Sequence, residues 1–441
     1  MELLTQIENK IEEKTLKLGV IGLGFVGLPV ASEFANKGFQ VLGIEKNKSR
    51  VNTIQKGENP IKGFEPELSD LLYETVSQGN LKVTTCYSNL SECDVCFINV
   101  DTPIDENHEP LNLSLESACS ELAKVMTPGT IVVVESTVAP GTTKKLVNIF
   151  FESNPSLVYG IDFFLVHCPE RVMPGKLLSN LRTLDRVVGC DNPKVADTVV
   201  KLYKNVVEAN IVTTTLVTAE LVKTSENALR DVNIAFANEV ARICEIQGAN
   251  VWEVRELVNK SPERNMLLPG PGVGGHCIPK DPWLLLSGLD ENFKTGLISK
   301  ARQINDDMPN HVLEQIFLSL PEFRDSDRKG VVTVLGMSYL ENSDDLRNSP
   351  SQVLVNLLKS YSVKVYAHDP LVSDYQEHNV ECIASKSDVL VIMVCHDLYR
   401  EIDWHQIYTL NPRLIVIDTR NCDSKKVIEA SGLRYKLLGL G

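Results

Sequence analysis

No apolar run in the 441-residue chain is long enough to cross a bilayer, which takes about 20 residues in a helix. The first fifteen residues are charged and lack the apolar centre of a secretory signal, so they read as a short N-terminal extension, helical in pattern, with no function assigned. Cations are in deficit: 44 Lys and Arg against 58 Asp and Glu give a formal net charge of −14. A nucleic-acid surface needs clustered cations to displace counterions, so this balance argues against one, and any anionic ligand has to be held locally. The eleven cysteines have no regular spacing and the eight histidines no ligand spacing. Neither a disulfide framework nor a metal site is therefore expected, and a reducing, cytoplasmic setting fits best. Cys93 and Cys96 form a CxxC, but the second lies in an apolar, strand-like run and no second pair follows. What is present, 43% hydrophobic and 23% charged residues, suits a globular protein with ample core, and the length suits two or three domains.

The first half has the rhythm of an α/β fold. Residues 16–21 are strand-like, Gly22, Gly24 and Gly27 follow as GLGFVG, and an amphipathic run continues to residue 36. The next apolar stretch, 39–44, ends in Glu45, where a dinucleotide fold sets an acid on the adenosine ribose. The glycines would admit a pyrophosphate to the helix N-terminus, whose free amides favour negative charge. An acid at 45 repels the extra phosphate of NADP, so the expected cofactor is NAD. Apolar strands at 95–100, 131–134 and 163–166 end in Asp101-Thr102-Pro103, Glu135-Ser136-Thr137 and Cys168-Pro169-Glu170-Arg171. Ligands gather at the carboxyl ends of strands in doubly wound sheets, so these tips are expected to line one cleft.

Residues 218–248 contain no proline and carry apolar residues at helical spacing. As one helix they would extend about 45 Å, a length suited to a connector or a subunit interface. Glu220, Lys223, Asn227 and Arg230 share one face, readable either as a solvated charged stripe or as a row turned to a ligand. Further on, residues 269–283 read PGPGVGGHCIPKDPW. Gly270, Gly272, Gly274 and Gly275 are costly in a helix or strand and let a bulky ligand approach the backbone. Cys277, beside His276 and Lys280, is in surroundings that favour the nucleophilic thiolate; a buried structural cysteine is the competing reading.

The charged, turn-rich stretch 321–330 reads as a linker or domain edge. A second α/β series follows, with strands at 331–335, 363–367, 389–394 and 414–417. Only Gly336 stands at its first turn, so the dinucleotide fingerprint is missing and this lobe holds something else. The run Asp344-Asp345-Leu346-Arg347-Asn348-Ser349 ahead of Pro350 offers good helix-capping chemistry, which accounts for the aspartates, whereas Arg347 could equally meet a ligand phosphate. The expected fold is α/β, with two Rossmann-like doubly wound lobes joined by a long central helix and a helical middle domain. The expected divisions are an extension at 1–15, an NAD-binding domain at 16–212, a central helical domain with the cysteine loop at 213–320, and a C-terminal lobe at 321–441.

Read in order, GLGFVGLP, ESTVAPG, CPERVMPGK, KTSENALRDVNIAFANE, PGPGVGGHCIPKDPW and DDLRNSP resemble the UDP-glucose/GDP-mannose dehydrogenase family along nearly the whole chain. The resemblance implies an enzyme that oxidises the C6 alcohol of a nucleotide sugar to a carboxylate with two NAD in succession, making precursors of surface polysaccharide. UDP-N-acetyl-D-mannosamine is the expected substrate. By motif, Gly22, Gly24, Phe25, Val26, Gly27, Glu45, Arg50, Thr102 and Thr137 would contact the cofactor. Cys277 would be the nucleophile and Lys223 the proton-transfer residue, with Asn227 and Asp281 orienting water, Glu170 aiding thioester hydrolysis and Thr137 completing the catalytic set. Arg171, Val172, Lys223, Asn227, Arg230, Gly274, His276, Tyr339 and Arg347 would hold the UDP-sugar. A homodimer or larger homo-oligomer is also implied.

Three features depart from the family's pattern. Leu340 follows Tyr339 where a lysine is usual, which puts one phosphate or active-site contact in doubt. His276 is similar to the N-acetylhexosamine enzymes whereas Pro279 and Lys280 are similar to the UDP-glucose branch, and residues 172–176 lack the second acid of that branch, which favours an acetamido sugar. The alternatives are UDP-N-acetylglucosamine or UDP-glucose as substrate, a two-electron dehydrogenase that leaves Cys277 without work, and a nucleotide-sugar-binding regulatory protein. The intact set of Lys223, Asn227, Cys277 and Asp281 argues against the last.

Overall fold

The structure is a computed structural model that describes residues 2–61, 63, 65–320, 330–376, 379–422 and 425–441. All but Gly330 of the expected 321–330 linker falls outside the described residues. The chain divides into one unit of residues 1–226 with 283–287 and another of residues 227–282 with 288–441.

The first unit holds an eight-stranded sheet in the order β3-β2-β1-β4-β5-β6-β7-β8. Its strands are β1 (Lys17–Ile21), β2 (Gln40–Ile44), β3 (Leu81–Thr84), β4 (Val95–Ile98), β5 (Thr130–Val134), β6 (Phe163–His167), β7 (Arg186–Cys190) and β8 (Ile211–Thr214). Neighbours run parallel except β6 and β7. The central strands read as continuous apolar runs because both faces are covered: Ile131 and Val133 enter one core cluster, Val132 and Val134 the other. Strand order reverses between β1 and β4, the point at which such sheets open a ligand crevice. The N-terminal helix, Glu2–Glu12, belongs to this core. Its Ile7 and Ile11 are buried, and Glu8 accepts hydrogen bonds from Lys201 and Thr198 of the helix Pro193–Tyr203.

The second unit holds a five-stranded parallel sheet in the order β10-β9-β11-β12-β13. Here β9 is Val331–Leu335, β10 Lys364–His368, β11 Val389–Ile392, β12 Ile415–Asp418 and β13 Arg434–Leu437. Val332, Val334, Val389 and Val391 fill one face, and Leu335, Leu390 and Ile392 the other.

The long helix, expected over 218–248, runs Leu216–Gln247, and the boundary between the units falls within it. Its second half is tied to the helix Leu297–Ser319 by a buried polar network. Arg302 and Asn305 donate to Asp231 at 2.6 and 2.7 Å, Asn238 donates to Asn305 at 2.8 Å, and the Gly270 amide donates to Asn238 at 2.8 Å. Burial pushes the Asp231 carboxyl up to about 6 against the lowering pull of Arg302. The network ends on Gly270, so it fixes the start of the cysteine loop. Among the described residues no helix is long and apolar enough to cross a membrane.

Two expectations are corrected. Cys395 and Cys422, 27 residues apart with Cα atoms 6.0 Å from each other, form a disulfide between the loops that follow β11 and β12, while the other nine cysteines are not disulfide-bonded. Within the 344–349 run expected to cap the helix Pro350–Ser360, the cap is Ser349, whose side chain accepts from the Ser351 amide, and not the aspartates, since Asp345 is taken up by Arg347.

Candidate functional site

In the first unit the glycine turn after β1 is shaped by contacts that exclude any side chain. A Cβ on Gly22, whose φ is +89°, would stand 2.4 Å from the Asn99 carbonyl oxygen, and one on Gly27 would stand 1.9 Å from the Gly22 oxygen. Gly24 is different, since a Cβ there would meet no atom within 4 Å. The helix Gly27–Asn36 starts at Val26 with no capping side chain and no acid in its first turn, which leaves its amides available to an anion. Glu45 is buried and accepts from the Leu23 amide at 3.2 Å and the Asn47 amide at 2.8 Å, and Arg50 donates to the Leu23 carbonyl at 3.1 Å. Both side chains therefore hold the glycine turn in shape. At the neighbouring strand tips Thr102 donates to the Thr137 carbonyl at 2.5 Å and Ser136 to that of Val100 at 2.7 Å, while Phe25 and Val26 pack against the core. The glycine cradle, the uncapped helix start and the acid at the tip of β2 fit an NAD pyrophosphate and ribose.

Behind these tips lies a buried charged cluster whose arginine opens the apolar run of β7 and gave no sequence signal beyond that. Arg186 pairs with Glu170, lies 3.7 Å from Glu135 and stacks 4.9 Å from the Tyr203 ring centre. Glu135 also accepts from the Tyr203 hydroxyl at 2.6 Å and the Asn99 amide at 2.7 Å. Burial pushes the Glu135 carboxyl up to about 7, opposed by Arg186. Burial alone would lower Arg186, but Glu170 and the other groups around it raise it above the ordinary guanidinium range. Arg171, expected to hold a UDP-sugar, forks onto Glu226 at 3.1 and 2.5 Å, and Val172 packs against the core of this unit.

The charged stripe of the long helix is not a solvated face at its start. Glu220 is buried and caps the helix Thr142–Ser153, accepting from the amides of Gly141 and Thr143; Gly141, the N-cap residue, has no side chain to do so. Lys223 is buried too, whereas Arg230 is exposed.

In the second unit Cys277 is exposed at a tight turn. Its carbonyl accepts from the Lys280 amide at 3.1 Å and the Asp281 amide at 2.9 Å. Asp281 is fully buried, accepts from the Asn227 side chain and has the Lys280 ammonium 3.3 Å away. The structure thus brings Asn227, Asp281 and the cysteine turn together. The same loop docks on the turn after β9. The Gly275 amide donates to the Arg347 carbonyl at 2.8 Å, and Asn348 donates to the Gly275 carbonyl at 2.9 Å. A Cβ on Gly274 would be 2.5 Å from that of Tyr339. His276 is half-buried in this loop. Arg347 forks onto Asp345 at 3.0 and 2.6 Å. The Tyr339 turn is itself held by buried Asp369, which accepts from the Met337 and Ser338 amides and from His396 at 2.8, 2.9 and 3.1 Å. Burial would raise the Asp369 carboxyl, but these hydrogen bonds outweigh it and hold it at about 2.

Residues 16–207 match the NAD-binding domain of the UDP-glucose/GDP-mannose dehydrogenase family, residues 217–307 its central domain and residues 333–425 its UDP-binding domain. A UDP-N-acetyl-D-mannosamine dehydrogenase of Pyrococcus horikoshii is 38% identical over 92% of this chain and 96% of its own. An NDP-N-acetyl-D-galactosaminuronic acid dehydrogenase of Ralstonia nicotianae is 36% identical over 94% of this chain and 97% of its own. The solved structure of the UDP-D-ManNAc dehydrogenase from Pyrococcus horikoshii superposes with a TM-score of 0.89 at 36% identity, covering 97% of this chain and 100% of that one. With all three domains matched in order along the chain, this protein belongs to the UDP-glucose/GDP-mannose dehydrogenase family of NAD-dependent oxidoreductases.

Proposed function

We propose that the chain catalyses the four-electron oxidation of the C6 hydroxyl of a UDP-N-acetylhexosamine to the uronate, with UDP-N-acetyl-D-mannosamine as its substrate. The observation that carries this reading is the second unit's cysteine turn: exposed Cys277, closed by hydrogen bonds onto a buried Asp281 that accepts from Asn227. In this reading residues 16–212 hold NAD, 213–320 carry the cysteine loop and 321–441 hold the UDP moiety. Gly274, His276, Tyr339 and Arg347 serve the UDP-sugar in the second unit. Arg171, Val172, Lys223, Asn227 and Arg230 complete the substrate set, the Arg171 guanidinium exchanging Glu226 for its ligand.

The glycine cradle with Glu45, Arg50, Thr102 and Thr137 would hold NAD, which would supply the hydride acceptor for each of the two oxidations. Lys223 takes the C6 hydroxyl proton, directly or through water, as the alcohol becomes an aldehyde. The Cys277 thiolate then adds to the aldehyde carbon, forming a C–S bond and a thiohemiacetal whose oxidation leaves a thioester. Asn227 steadies the oxyanion at C6, and Asp281 orients the attacking water. Glu170 receives that water's proton as the C–S bond breaks and its electron pair returns to sulfur. Alcohol, two NAD⁺ and one water give carboxylate, two NADH and three protons.

The acetamido preference rests on His276 and on the absence of an acid at 172–176. The uronate would serve as a precursor of charged surface polysaccharide. Nine cysteines outside any disulfide, most of them buried, support a cytoplasmic setting. A homodimer is supported by Leu229, Phe236, Ile243 and Ile246, which are 68, 54, 51 and 81% exposed along one side of the long helix. The test counts NADH per sugar consumed and weighs the product by mass spectrometry across a panel of UDP-sugars. Two NADH and a uronate from UDP-N-acetyl-D-mannosamine are expected. One NADH and an aldehyde would overturn the four-electron reading, and turnover of UDP-glucose alone would overturn the sugar assignment.

A further inference from the structure

The cluster around Arg186 is expensive to bury. Two carboxylates, Glu135 and Glu170, face a single guanidinium, and all three side chains are at most 5% exposed. Buried ion pairs often contribute no more stability than apolar side chains of the same volume, so a role in the fold alone explains this arrangement poorly. The cluster also sits where a sheet of this kind meets its ligands: Asn99 follows β4, Glu135 follows β5 and Glu170 stands just after β6.

Both oxygens of one carboxyl group in it are held by hydrogen bonds. Glu170 accepts from the Arg171 amide at 2.8 Å on one oxygen and from Arg186 on the other. Each oxygen keeps a further lone pair to accept from water. Arg186 cannot swing away, because the Tyr203 ring covers its face and Glu135 draws its second nitrogen. Glu135 is anchored in turn by Tyr203 and Asn99.

We infer that Arg186, braced by Glu135 and Tyr203, is the positioning residue that fixes the Glu170 carboxyl group for its part in hydrolysis of the Cys277 thioester. This rests on the reading of Glu170 given above. In that step water forms the new C–O bond, the C–S bond breaks with its electron pair going to Cys277 sulfur, and Glu170 takes the water's proton before releasing it to solvent. Arg186 touches no reacting atom and acts on this step through Glu170, so its loss should slow this step and neither hydride transfer.

The test uses the full chain with NAD and UDP-N-acetyl-D-mannosamine, in wild type, Arg186→Lys, Arg186→Met, Tyr203→Phe and Glu170→Gln. General-base catalysis is worth about 10²–10⁴-fold. Steady-state turnover is therefore expected to fall about tenfold in Arg186→Lys, about a hundredfold in Arg186→Met and severalfold in Tyr203→Phe. Each variant should still release a rapid burst of two NADH per subunit and accumulate a uronyl adduct on Cys277, visible by intact mass. If the burst slows in proportion to turnover and no adduct builds up, the role is structural and the inference fails; wild-type turnover in Arg186→Lys and Arg186→Met also overturns it. An adduct in Glu170→Gln but not in the Arg186 variants refutes the positioning alone, whereas no adduct in Glu170→Gln removes the reading beneath it. Should Arg186→Met not fold, Arg186→Lys decides, and should both misfold, Tyr203→Phe does.

Discussion

A single methyl group at Gly274 should separate sugar-nucleotide binding from cofactor binding. Its φ lies outside the positive region that alanine avoids, so the cost of Gly274→Ala is one of space. The new Cβ would stand 2.5 Å from Tyr339 Cβ and 2.8 Å from the Asn348 carbonyl oxygen, where carbon contacts ordinarily settle near 3.5 Å. About 1 Å has to open between the cysteine loop and the Tyr339 turn, and both obstacles are fixed by backbone. Overpacking of this kind costs roughly 1–3 kcal/mol. At about 1.4 kcal/mol per factor of ten, UDP-sugar binding should weaken about 5- to 150-fold. NAD affinity should not change, because its glycine cradle belongs to the other unit. Gly270→Ala is the control: its Cβ would meet Arg420 Nη1 at 2.8 Å, the far end of a side chain that can give way, so its effect should be smaller. Initial rates with varied UDP-sugar, together with calorimetric titration of UDP and of NAD, read the outcome. A KM within twofold of wild type, or NAD affinity falling in parallel, would refute the reasoning.

Four further outcomes follow from the same structure. Cys277→Ser should abolish uronate formation while leaving NAD affinity intact, by titration; undiminished uronate would sink the thioester route. Glu135, folded near 7 against about 4.5 in the unfolded chain, contributes stability that is full below about pH 4.5 and is lost as pH rises through about 7, at most about 3 kcal/mol. Urea unfolding at about pH 5 and about pH 7.5 should show that fall shrinking in Glu135→Gln. Leu229→Glu or Phe236→Glu should weaken self-association by about 10²–10⁴-fold in sedimentation experiments, since a two-fold contact loses two apolar side chains of about 1.5–3 kcal/mol each. Cys422→Ser should lower the unfolding free energy by about 3.5 kcal/mol, the entropy of closing a loop of 27 residues, and reductant should reproduce the effect in wild type.

The parts of the fold legible in sequence are those whose signal is local. Strands buried on both faces, such as 131–134 and 389–392, announce themselves as unbroken apolar runs. The short β8, Ile211–Thr214, is half exposed, and β7 opens with a charge, so neither reads as a strand without its neighbours. Glycine turns and the cysteine loop stand out because few other roles call for such residues at such spacing. Glu220 could not be read in this way: an acid on a helix face looks the same whether it meets water or caps Gly141, which is 79 residues away. Arg186 and the Cys395–Cys422 pair share that difficulty, since their partners are set by which strands lie side by side.

The buried helix Glu2–Glu12 has a consequence for biogenesis. Ile7 and Ile11 leave the ribosome early, yet the helix Pro193–Tyr203 that covers them is translated about 180 residues later, roughly 10–40 s at ordinary elongation rates. Until then an apolar segment waits without its cover, and the first lobe cannot close co-translationally before Tyr203 has emerged. Trimming those residues to tidy an expression clone would therefore remove a piece of the core rather than a loose tail.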